Sequence, residues 1–432
     1  MKNAPLMKDR ILRKDISETF KKAINTEGLI NNNDSAIIFY DIDFLNERVD
    51  SLKQLFPKNT IHAIAVKANP LIRILEEFRD ANVGLETASL PELFIAEKLG
   101  FSSNKIVFDS PSKTTEEIEY ALKLGAHLNA DSFIELVRIS KLYEATKSVS
   151  NIGIRINPQV GSGTIKSTSV ADKISKFGIP IDEHRQEIIE SFLKYKWLNG
   201  IHLHIGSQGI SIMQLLDGLK KVYELVEEIN SLLKIEGRQI VFFDIGGGFP
   251  VSYNFDESIP CLEEYIKMAK FNHPELFSGK YKLITEFGRY ISANTAWAAS
   301  RVEYVKSEAN YKILSTHLGA DFLLRKAYNP TDWHHEISVL DKNGNLKTGI
   351  DNKKYIIAGP LCFASDIIAK DIELPKVEQG DYIVIHDIGA YTLSMWSRYN
   401  SRQMPKVIGY KKNSFYTLKE RESLEDLYNF WK

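Results

Sequence analysis

The stretch IHAIAVKANPLIRILEEFRDAN, residues 61–82, contains the unit from which much of the chain is built. Its first part is a short β-prone run, typical of a buried strand, and its second part has the apolar spacing of an amphipathic helix. The two parts meet at Lys67. A strand interior seldom keeps an ammonium group without a partner or a function, so Lys67 marks a candidate site.

The same order of β-prone run and helical stretch recurs up to about Tyr290. We count eight such runs, each ending in polar or small residues. They are IHAIAVKAN, VGLETAS, KIVFDS, HLNADS, NIGIRINP, LNGIHLHIGS, QIVFFDIGGG and YKLITEFGRY. Strands that alternate with helices at this spacing form βαβ units and a parallel sheet. Eight units within about 230 residues predict an α/β fold with a (β/α)8 barrel, and a doubly wound open sheet is the alternative.

After Tyr290 the pattern changes to strand-rich segments with few helical stretches, such as KYIIAGPLCFASDIIAKDIELP and DYIVIHDIGAYTLSM. The run AIIFYD near the N-terminus has the same character and is a candidate to join them. We predict that residues 36–300 form the barrel. Residues 1–35 and 301–432 are predicted to form a mostly β domain that contributes to a dimer and to the active site.

The composition is that of an ordinary globular protein, with 44% hydrophobic and 26% charged residues among 432. With a net charge of −1, the chain produces no strong electrostatic field that would attract nucleic acid or lipid. The sequence lacks a long apolar run and a signal-peptide core. It has two cysteines, Cys261 and Cys362, and therefore no disulfide framework. We expect a cytoplasmic protein that binds neither nucleic acid nor membrane.

The last two runs indicate the chemistry, because a barrel carries its active site at the C-terminal ends of its strands. The glycines of DIGGGFP, residues 244–250, let backbone amides approach an anion, and Arg289 at the next strand end can add a guanidinium. Loops after strands seven and eight are the usual phosphate site of this fold. With Lys67 in the same barrel mouth, these residues predict a pyridoxal 5'-phosphate enzyme. Glu286 is then expected to pair with the ring nitrogen.

His202 and His204 alternate along one strand, so their side chains face opposite sides. A zinc site needs at least three protein ligands, and no HxxxE, CxxC or third histidine supports this pair. We therefore predict no metal. One histidine is expected to stack on the cofactor ring, and the other to be a structural residue.

Together these motifs resemble those of the pyridoxal-phosphate decarboxylases of the diaminopimelate and ornithine decarboxylase family, which share the alanine racemase barrel. The similarity covers nearly the whole chain, and it is strongest to diaminopimelate decarboxylases. AVKANP is similar to the family's lysine motif, LETASLPEL to its second-strand motif and DIGGGFP to its glycine loop. IRINP, SKFGI, HLHIGSQ and TEFGRYIS follow in order, with Phe287 where the family has proline.

The resemblance implies a role for each matching residue. His204 corresponds to the ring-stacking histidine, and Ser207 and Tyr391 contribute to the phosphate site. The cofactor-binding residues that it implies are Lys67, Glu86, Arg155, His204, Ser207, Gly246, Gly247, Gly248, Glu286, Arg289 and Tyr391.

GPLCFASD, residues 359–366, resembles the segment whose cysteine enters the active site of the partner subunit. The resemblance therefore implies a homodimer with two shared active sites. Lys67 and Cys362 are the implied catalytic residues, with Cys362 protonating the α-carbon after decarboxylation.

Two departures fall where the distal end of the substrate is expected. Phe363 stands where the family carries glutamate or aspartate after the cysteine, and it cannot pair with an ammonium group. ADFLLRKAYNPTDWHHEI resembles a substrate-carboxylate segment with Arg325 as the match, but NPTDW does not follow the pattern. We predict that Arg325, Phe363 and Asp366 bind the substrate and that specificity at its distal end is altered.

The expected activity is the α-decarboxylation of an amino acid. The candidate substrates, in order, are a modified or conjugated diamino acid, an amino acid with an uncharged polar or carboxylated tail, and diaminopimelate itself. An amino-acid racemase on the same barrel and a non-catalytic pyridoxal-phosphate protein are the alternatives. A racemase would prefer arginine at the ring nitrogen, and a carrier would resemble the barrel alone.

Overall fold

The computed structural model describes residues 9–256, 259–308, 311–349 and 352–432. Its largest element is a closed barrel of eight parallel strands. They are β2 (Ile61–Ala65), β3 (Gly84–Thr87), β4 (Ile106–Phe108), β5 (His127–Ala130), β6 (Ile152–Asn157), β8 (Leu198–Leu203), β9 (Phe242–Asp244) and β10 (Lys282–Thr285). The two-residue strand β7 (Ile179–Pro180) pairs with the end of β6.

Hydrogen bonds between the first and last strands close the barrel. β10 pairs with β2, placing Ile284 beside Ile61, and β5 pairs with β6 to complete the ring. An open doubly wound sheet would leave two free edges, so this closure excludes it.

Helices cover the outside of the barrel and precede or follow its strands. They are α2 (Ile42–Leu55), α3 (Ile72–Asp80), α4 (Leu90–Lys98), α5 (Thr115–Leu124), α6 (Phe133–Thr146), α7 (Ile181–Lys194), α8 (Ile212–Leu233), α9 (Leu262–Asn272) and the short α10 (Gly288–Ser292). Polar residues that follow the strands start several of these helices. Ser89, Ser132 and Ser211 each accept a hydrogen bond from the third helical amide of α4, α6 and α8.

The remaining strands of the described residues form two further sheets. The six-stranded sheet has the order β14 (Ile337–Leu340), β17 (Tyr382–Ile385), β11 (Ala296–Arg301), β1 (Ala36–Asp41), β18 (Lys406–Lys411) and β19 (Ser414–Lys419). The four-stranded sheet has the order β12 (Tyr304–Glu308), β13 (Tyr311–Ser315), β15 (Lys353–Ala358) and β16 (Ile367–Leu374). The helices outside the barrel are α1 (Arg13–Ile24), α11 (Leu324–Tyr328) and α12 (Leu424–Trp431).

The N-terminal strand β1 is buried along its whole length between β11 and β18. Phe39 on one face stacks on Trp297 with ring centroids 4.1 Å apart, and Phe20 of α1 packs against both rings. Burial on both faces explains why this strand reads as a continuous apolar run.

The predicted (β/α)8 barrel with a mostly β C-terminal part is confirmed. Strand β1 and all of β11 except Arg301 fall within 36–300, the range assigned to the barrel, and the two strands are hydrogen-bonded in the six-stranded sheet. The domain boundaries themselves stay a prediction. Among the described helices, none has the length and apolar character needed to cross a membrane.

Candidate active site

Lys67 lies directly after β2, in a single 3-10 turn, Val66–Ala68. Its ammonium nitrogen is 2.7 Å from both carboxylate oxygens of Glu86 at the end of β3. The side chain is 41% exposed and borders a cavity at the carboxyl ends of the strands. Enclosure disfavours the charged amine, but Glu86 and Glu286 outweigh that effect and hold the pKa of Lys67 above its ordinary value.

The glycine loop follows β9 and packs closely against two neighbouring loops. Gly248 has φ +88°, and a Cβ added there would lie 1.6 Å from the carbonyl oxygen of Gly206. A Cβ on Gly247 would lie 2.2 Å from the carbonyl oxygen of Glu286. Only glycine fits this loop, and its backbone amides are therefore free to approach a ligand closely.

Arg289 and Ser207 lie beside this loop. The Nε of Arg289 donates to Ser207 Oγ at 3.0 Å, and its Nη1 donates to the hydroxyl of Tyr253 at 2.7 Å. The guanidinium lies 4.5 Å from the ring centroid of Tyr391. A fixed cation next to glycine amides is a suitable place for a phosphate group.

His204 lines the same cavity, and its Nδ1 accepts a hydrogen bond from the amide of Gly247 at 3.1 Å. Enclosure in the cavity wall, together with the cations Arg155 and Lys67, holds the pKa of His204 well below its usual range. The imidazole is therefore neutral at physiological pH. Its hydrogen bond with the amide of Gly247 fixes the orientation of the ring.

His202 points to the other side of β8 and is fully buried in the barrel interior. Its Nδ1 lies 3.0 Å from Asp244 Oδ2 and 3.5 Å from Glu286 Oε1. The side-chain amide of Asn129 also lies 3.0 Å from this nitrogen. Burial and the nearby acids Asp244 and Glu86 raise the pKa of Glu286 well above its ordinary value.

Donor atoms of His202, Asp244 and Glu286 lie within 4.8 Å of one another, a grouping that a metal ion could bridge. Two of these groups already contact each other, since His202 Nδ1 lies 3.0 Å from Asp244 Oδ2. Our expectation that the protein uses no metal stays a prediction.

Arg155 at the end of β6 is paired with acids of its own chain. Its Nη1 lies 2.6 Å from Asp109 Oδ2, and its Nε lies 3.9 Å from Asp131. The Arg155 guanidinium outweighs burial and holds the pKa of Asp109 well below its usual range. Arg155 thus forms an internal ion pair at the cavity wall.

The cavity has a volume of about 650 Å³. It brings together Lys67, Arg155, His204, Ser207, Arg289, Arg325 and Tyr391. Its apolar wall includes Val170, Phe177, Leu324 and Met395. Glu86, Glu286 and the glycine loop lie directly behind the residues that face it.

Cys362, Phe363 and Asp366 do not line this cavity in the described residues of a single chain. Cys362 and Phe363 are exposed, and the ring of Phe363 contacts that of Tyr399 at 5.9 Å. Asp366 is buried and accepts hydrogen bonds from the amides of Ala320 and Leu361, both at 2.6 Å. These contacts give Asp366 a structural role within its own chain.

Sequence reasoning missed two aromatic residues of the site. Trp333 lies under the guanidinium of Arg325 at 3.8 Å, and Tyr253 binds Arg289. The signal for Trp333 was present, because it ends NPTDW, the segment that departs from the family pattern. Tyr253 lies five residues after Gly248 and carries no local signal.

These features fit a pyridoxal phosphate. The glycine loop and Arg289 suit its phosphate, and Lys67 faces the cavity. Glu286 Oε1 is buried without a hydrogen-bond partner, which leaves it available to a ring nitrogen.

Comparisons with known proteins agree with this geometry. Residues 42–293 match the pyridoxal binding domain of the pyridoxal-dependent decarboxylases. The chain is 32% identical to a diaminopimelate decarboxylase of Methanocaldococcus jannaschii, over 86% of this chain and 83% of that protein. It is also 32% identical to a diaminopimelate decarboxylase of Helicobacter pylori, over 94% of this chain and 97% of that protein.

The crystal structure of diaminopimelate decarboxylase from Helicobacter pylori, complexed with L-lysine, has the same architecture. It superposes with a TM-score of 0.82 at 30% identity, covering 93% of this chain and 97% of that one. The predicted cofactor and reaction class are thereby confirmed, in preference to a racemase or a carrier. The chain belongs to the pyridoxal-dependent decarboxylases, and it is a carboxy-lyase that uses pyridoxal phosphate.

Proposed function

We propose that this enzyme removes the α-carboxylate of an amino acid whose far end carries a second carboxylate. The observation that carries the proposal is the guanidinium of Arg325. This group borders the cavity, and its Nη1 is buried without a hydrogen-bond partner.

Arg325 has no anionic partner among the described residues, and its hydrogen-bond partners are the hydroxyl of Tyr253 and a backbone carbonyl. It stacks 3.8 Å from the ring centroid of Trp333, and its Nη2 donates to the carbonyl of Ala390 at 3.4 Å. Burial lowers the pKa of Arg325 to about 10, so the group remains charged at neutral pH. A buried charge without an anion is costly, and a substrate carboxylate bound in bidentate fashion would remove that cost.

The cavity offers little to a distal ammonium group. Among its described lining residues the one carboxylate is Asp109, and Arg155 already pairs with it at 2.6 Å. Phe363, at the position where the family resemblance leads us to expect an acid, supplies none. An amino acid with a distal carboxylate and no distal ammonium therefore matches this site best.

Bound pyridoxal phosphate supplies an aldehyde and a ring that accepts the electron pair left when CO2 departs. In our proposal the amine of Lys67 holds the cofactor, and Glu286 lies next to the nitrogen of the cofactor ring. His204 supports the ring face. The phosphate is held by Gly246, Gly247, Gly248, Ser207, Arg289 and Tyr391.

Glu286 and Lys67 are the two groups whose surroundings suit them to hold protons. Because burial and the nearby acids raise the pKa of Glu286, it can keep a proton next to the ring nitrogen. Lys67 Nζ is 2.7 Å from Glu86, which can take a proton from the ammonium group so that the free amine can hold the cofactor. The apolar wall formed by Val170, Phe177 and Met395 excludes water from the departing carboxylate.

Diaminopimelate itself is the second candidate, favoured by the similarity to diaminopimelate decarboxylases over 94% of the chain. A matched pair of substrates tests the choice. Diaminopimelate and 2-aminopimelate differ only in the distal amino group, and we expect kcat/KM for 2-aminopimelate to equal or exceed that for diaminopimelate. CO2 release from both substrates is the measurement.

Phe363→Glu is the matched variant for this test. It is expected to shift the preference toward diaminopimelate by about tenfold or more, because a carboxylate can then pair with the distal ammonium. Wild-type turnover restricted to diaminopimelate would instead establish the second candidate.

We also propose that two copies of the chain share their active sites, with Cys362 of one completing the site of the other. Cys362 is exposed and lies outside the cavity of its own chain. Its amide donates to the side chain of Asn400 at 2.8 Å, which fixes the segment in an outward position. A second copy of the chain would cover Phe363 and Tyr399, both of which are apolar rings on the surface.

Subunit mixing tests the shared site. Lys67→Ala and Cys362→Ala are each expected to be nearly inactive, and an equal mixture should recover about one quarter of wild-type activity through hybrid dimers. A mixture no more active than its components, or a monomer by light scattering, would contradict this arrangement. A cytoplasmic location remains part of the proposal and is testable by cell fractionation.

A further inference from the structure

A second cavity lies at the opposite end of the barrel from Lys67, and we call it the basal cavity. It is bordered by the amino-terminal ends of the adjacent strands β4, β3, β2 and β10. Its volume is about 460 Å³, within the range of small-ligand sites. The cofactor site occupies the carboxyl ends of the same strands, so the two cavities are separated by the packed barrel interior.

Four lysines line the basal cavity, and none of its described lining residues is a carboxylate. They come from separate segments: Lys53 from the end of α2, Lys58 from the loop before β2, Lys105 from the residue before β4, and Lys282 from the start of β10. An acid outside the lining, Asp50, lies 3.7 Å from Lys53. The cavity is therefore strongly positive in a chain whose net charge is −1.

Two of these lysines are held in place by backbone contacts. Lys105 Nζ donates to the carbonyl of Asn82 at 2.9 Å, and Lys53 Nζ donates to the carbonyl of Ala81. Strand β3 passes close beside them, because a Cβ on Gly84 would lie 2.0 Å from the carbonyl oxygen of Lys105. The strands of the barrel therefore hold these amines close together.

The ammonium groups of these lysines repel one another. Partial burial and the nearby ammonium groups of Lys53 and Lys282 lower the pKa of Lys105. His62 adds no charge, because burial and Lys53 lower its pKa to about 4. An anion in the cavity would relieve the repulsion among the lysines.

Neutral donors complete the lining. The side-chain amides of Asn59, Asn82 and Asn104 border the cavity. The hydroxyl of Thr60 is buried there without a hydrogen-bond partner. Ammonium, amide and hydroxyl groups together suit a compact oxyanion with several acceptor oxygens.

We propose that the basal cavity binds a small polyvalent phosphate, either free inorganic pyrophosphate or the phosphate tail of a nucleotide. This site is separate from the cofactor's phosphate site and goes beyond the decarboxylase activity. Calorimetric titration of the holoenzyme with pyrophosphate is expected to show saturable binding.

Lys58→Glu is the test variant, and Lys141→Glu on α6 is its matched control. Both lysines are exposed, and both changes alter the net charge equally. Pyrophosphate should bind Lys58→Glu at least about tenfold more weakly, and Lys141→Glu as tightly as wild type. No saturable binding to wild type, or equal affinity in the two variants, would overturn the proposal. Unchanged cofactor absorbance and decarboxylation in both variants verify the fold.

Titrations with ADP, AMP and adenosine distinguish the two sources of phosphate. ADP binding more tightly than pyrophosphate would assign the site to a nucleotide, whereas equal or weaker binding of ADP would assign it to free phosphate. Adenosine binding as tightly as ADP would contradict a phosphate site.

Discussion

At the scale of single residues, the carboxyl end of the barrel concentrates buried charge. Its buried acids include Glu86, Asp109, Asp131, Asp244 and Glu286. Burial and the neighbouring acids Asp244 and Glu86 raise the pKa of Glu286 well above its ordinary value. Glu286 is therefore suited to hold a proton.

Glu286→Gln tests the importance of that group. A neutral amide cannot stabilise positive charge on the ring nitrogen, so we expect kcat to fall about 100-fold with a small change in KM. Steady-state CO2 release measures the effect. Glu119→Gln, at a partly exposed position on the outer face of α5, should retain full activity. An unchanged kcat in Glu286→Gln would contradict the assignment.

Arg325 allows a test that separates substrate binding from a structural role. Arg325→Met keeps the packing on Trp333 but removes a charge that has no anionic partner among the described residues. For a carboxylate-tailed substrate we expect kcat/KM to fall about 100-fold or more. The free energy of unfolding should stay the same or rise, because an unpaired buried charge is lost.

The control for Arg325 is a substrate with a methyl group in place of the distal carboxylate. Its turnover should differ little between wild type and Arg325→Met. A drop in stability measured by urea unfolding, together with equal losses on both substrates, would show that the arginine is structural.

At the scale of elements, the glycine loop after β9 shows how a short segment joins two parts of the site. Gly247 contacts the end of β10 through Glu286, and Gly248 contacts the Gly206 loop after β8. The loop therefore fixes the phosphate site relative to the ring nitrogen. Its position in the sequence indicated a phosphate site, but these close approaches require the folded barrel.

Gly248→Ala is expected to weaken cofactor binding at least about tenfold, because the added Cβ must displace the Gly206 carbonyl. Gly237→Ala is the matched control, since Gly237 also has positive φ, +67°, but open space around its Cβ position. Titration of both apoenzymes with pyridoxal phosphate gives the affinities. Equal affinities in the two variants would contradict a role for this close packing in cofactor binding.

At the scale of the whole molecule, buried histidines make stability depend on pH. Burial lowers the pKa of His62 and His127 to about 4, and that of His335 and His386 to about 3. The unfolded chain binds these protons near pH 6.5. Each histidine therefore contributes stability that is present above about pH 6.5 and is lost as the pH falls through its folded pKa.

Two buried aspartates act in the opposite direction. Burial raises the pKa of Asp131 and of Asp387 to about 6, so the folded state binds their protons more tightly than the unfolded state. Their contribution is present below about pH 4 and is lost as the pH rises through about 6. His204, whose pKa burial also lowers, adds to the histidines, and Glu286, whose pKa burial raises, adds to the acids. With these two groups included, the histidines remain the more numerous.

We therefore expect the free energy of unfolding to decrease as the pH is lowered from about 7 to 5, by about 1.4 kcal/mol per pH unit for each net proton. Urea unfolding at several pH values measures the slope. His335→Asn should make the slope shallower by about one proton. A profile that is flat or rises toward acid would contradict this balance.

The sequence by itself determined the barrel and the reaction class. Strand and helix periodicity is local, and the motifs around Lys67, the glycine loop and Arg289 keep their order along the chain, so both could be recognised without coordinates. Only the tertiary structure decided how the charges are used. It paired Arg155 with Asp109, left Arg325 without an anion on Trp333, and gave Asp366 backbone partners.

The tertiary structure also decided the basal cavity, because its lysines come from segments up to about 230 residues apart in the sequence. The physical reason is that the strength of a charge interaction depends on distance and burial. Closure of the barrel sets both quantities, whereas spacing along the sequence sets neither.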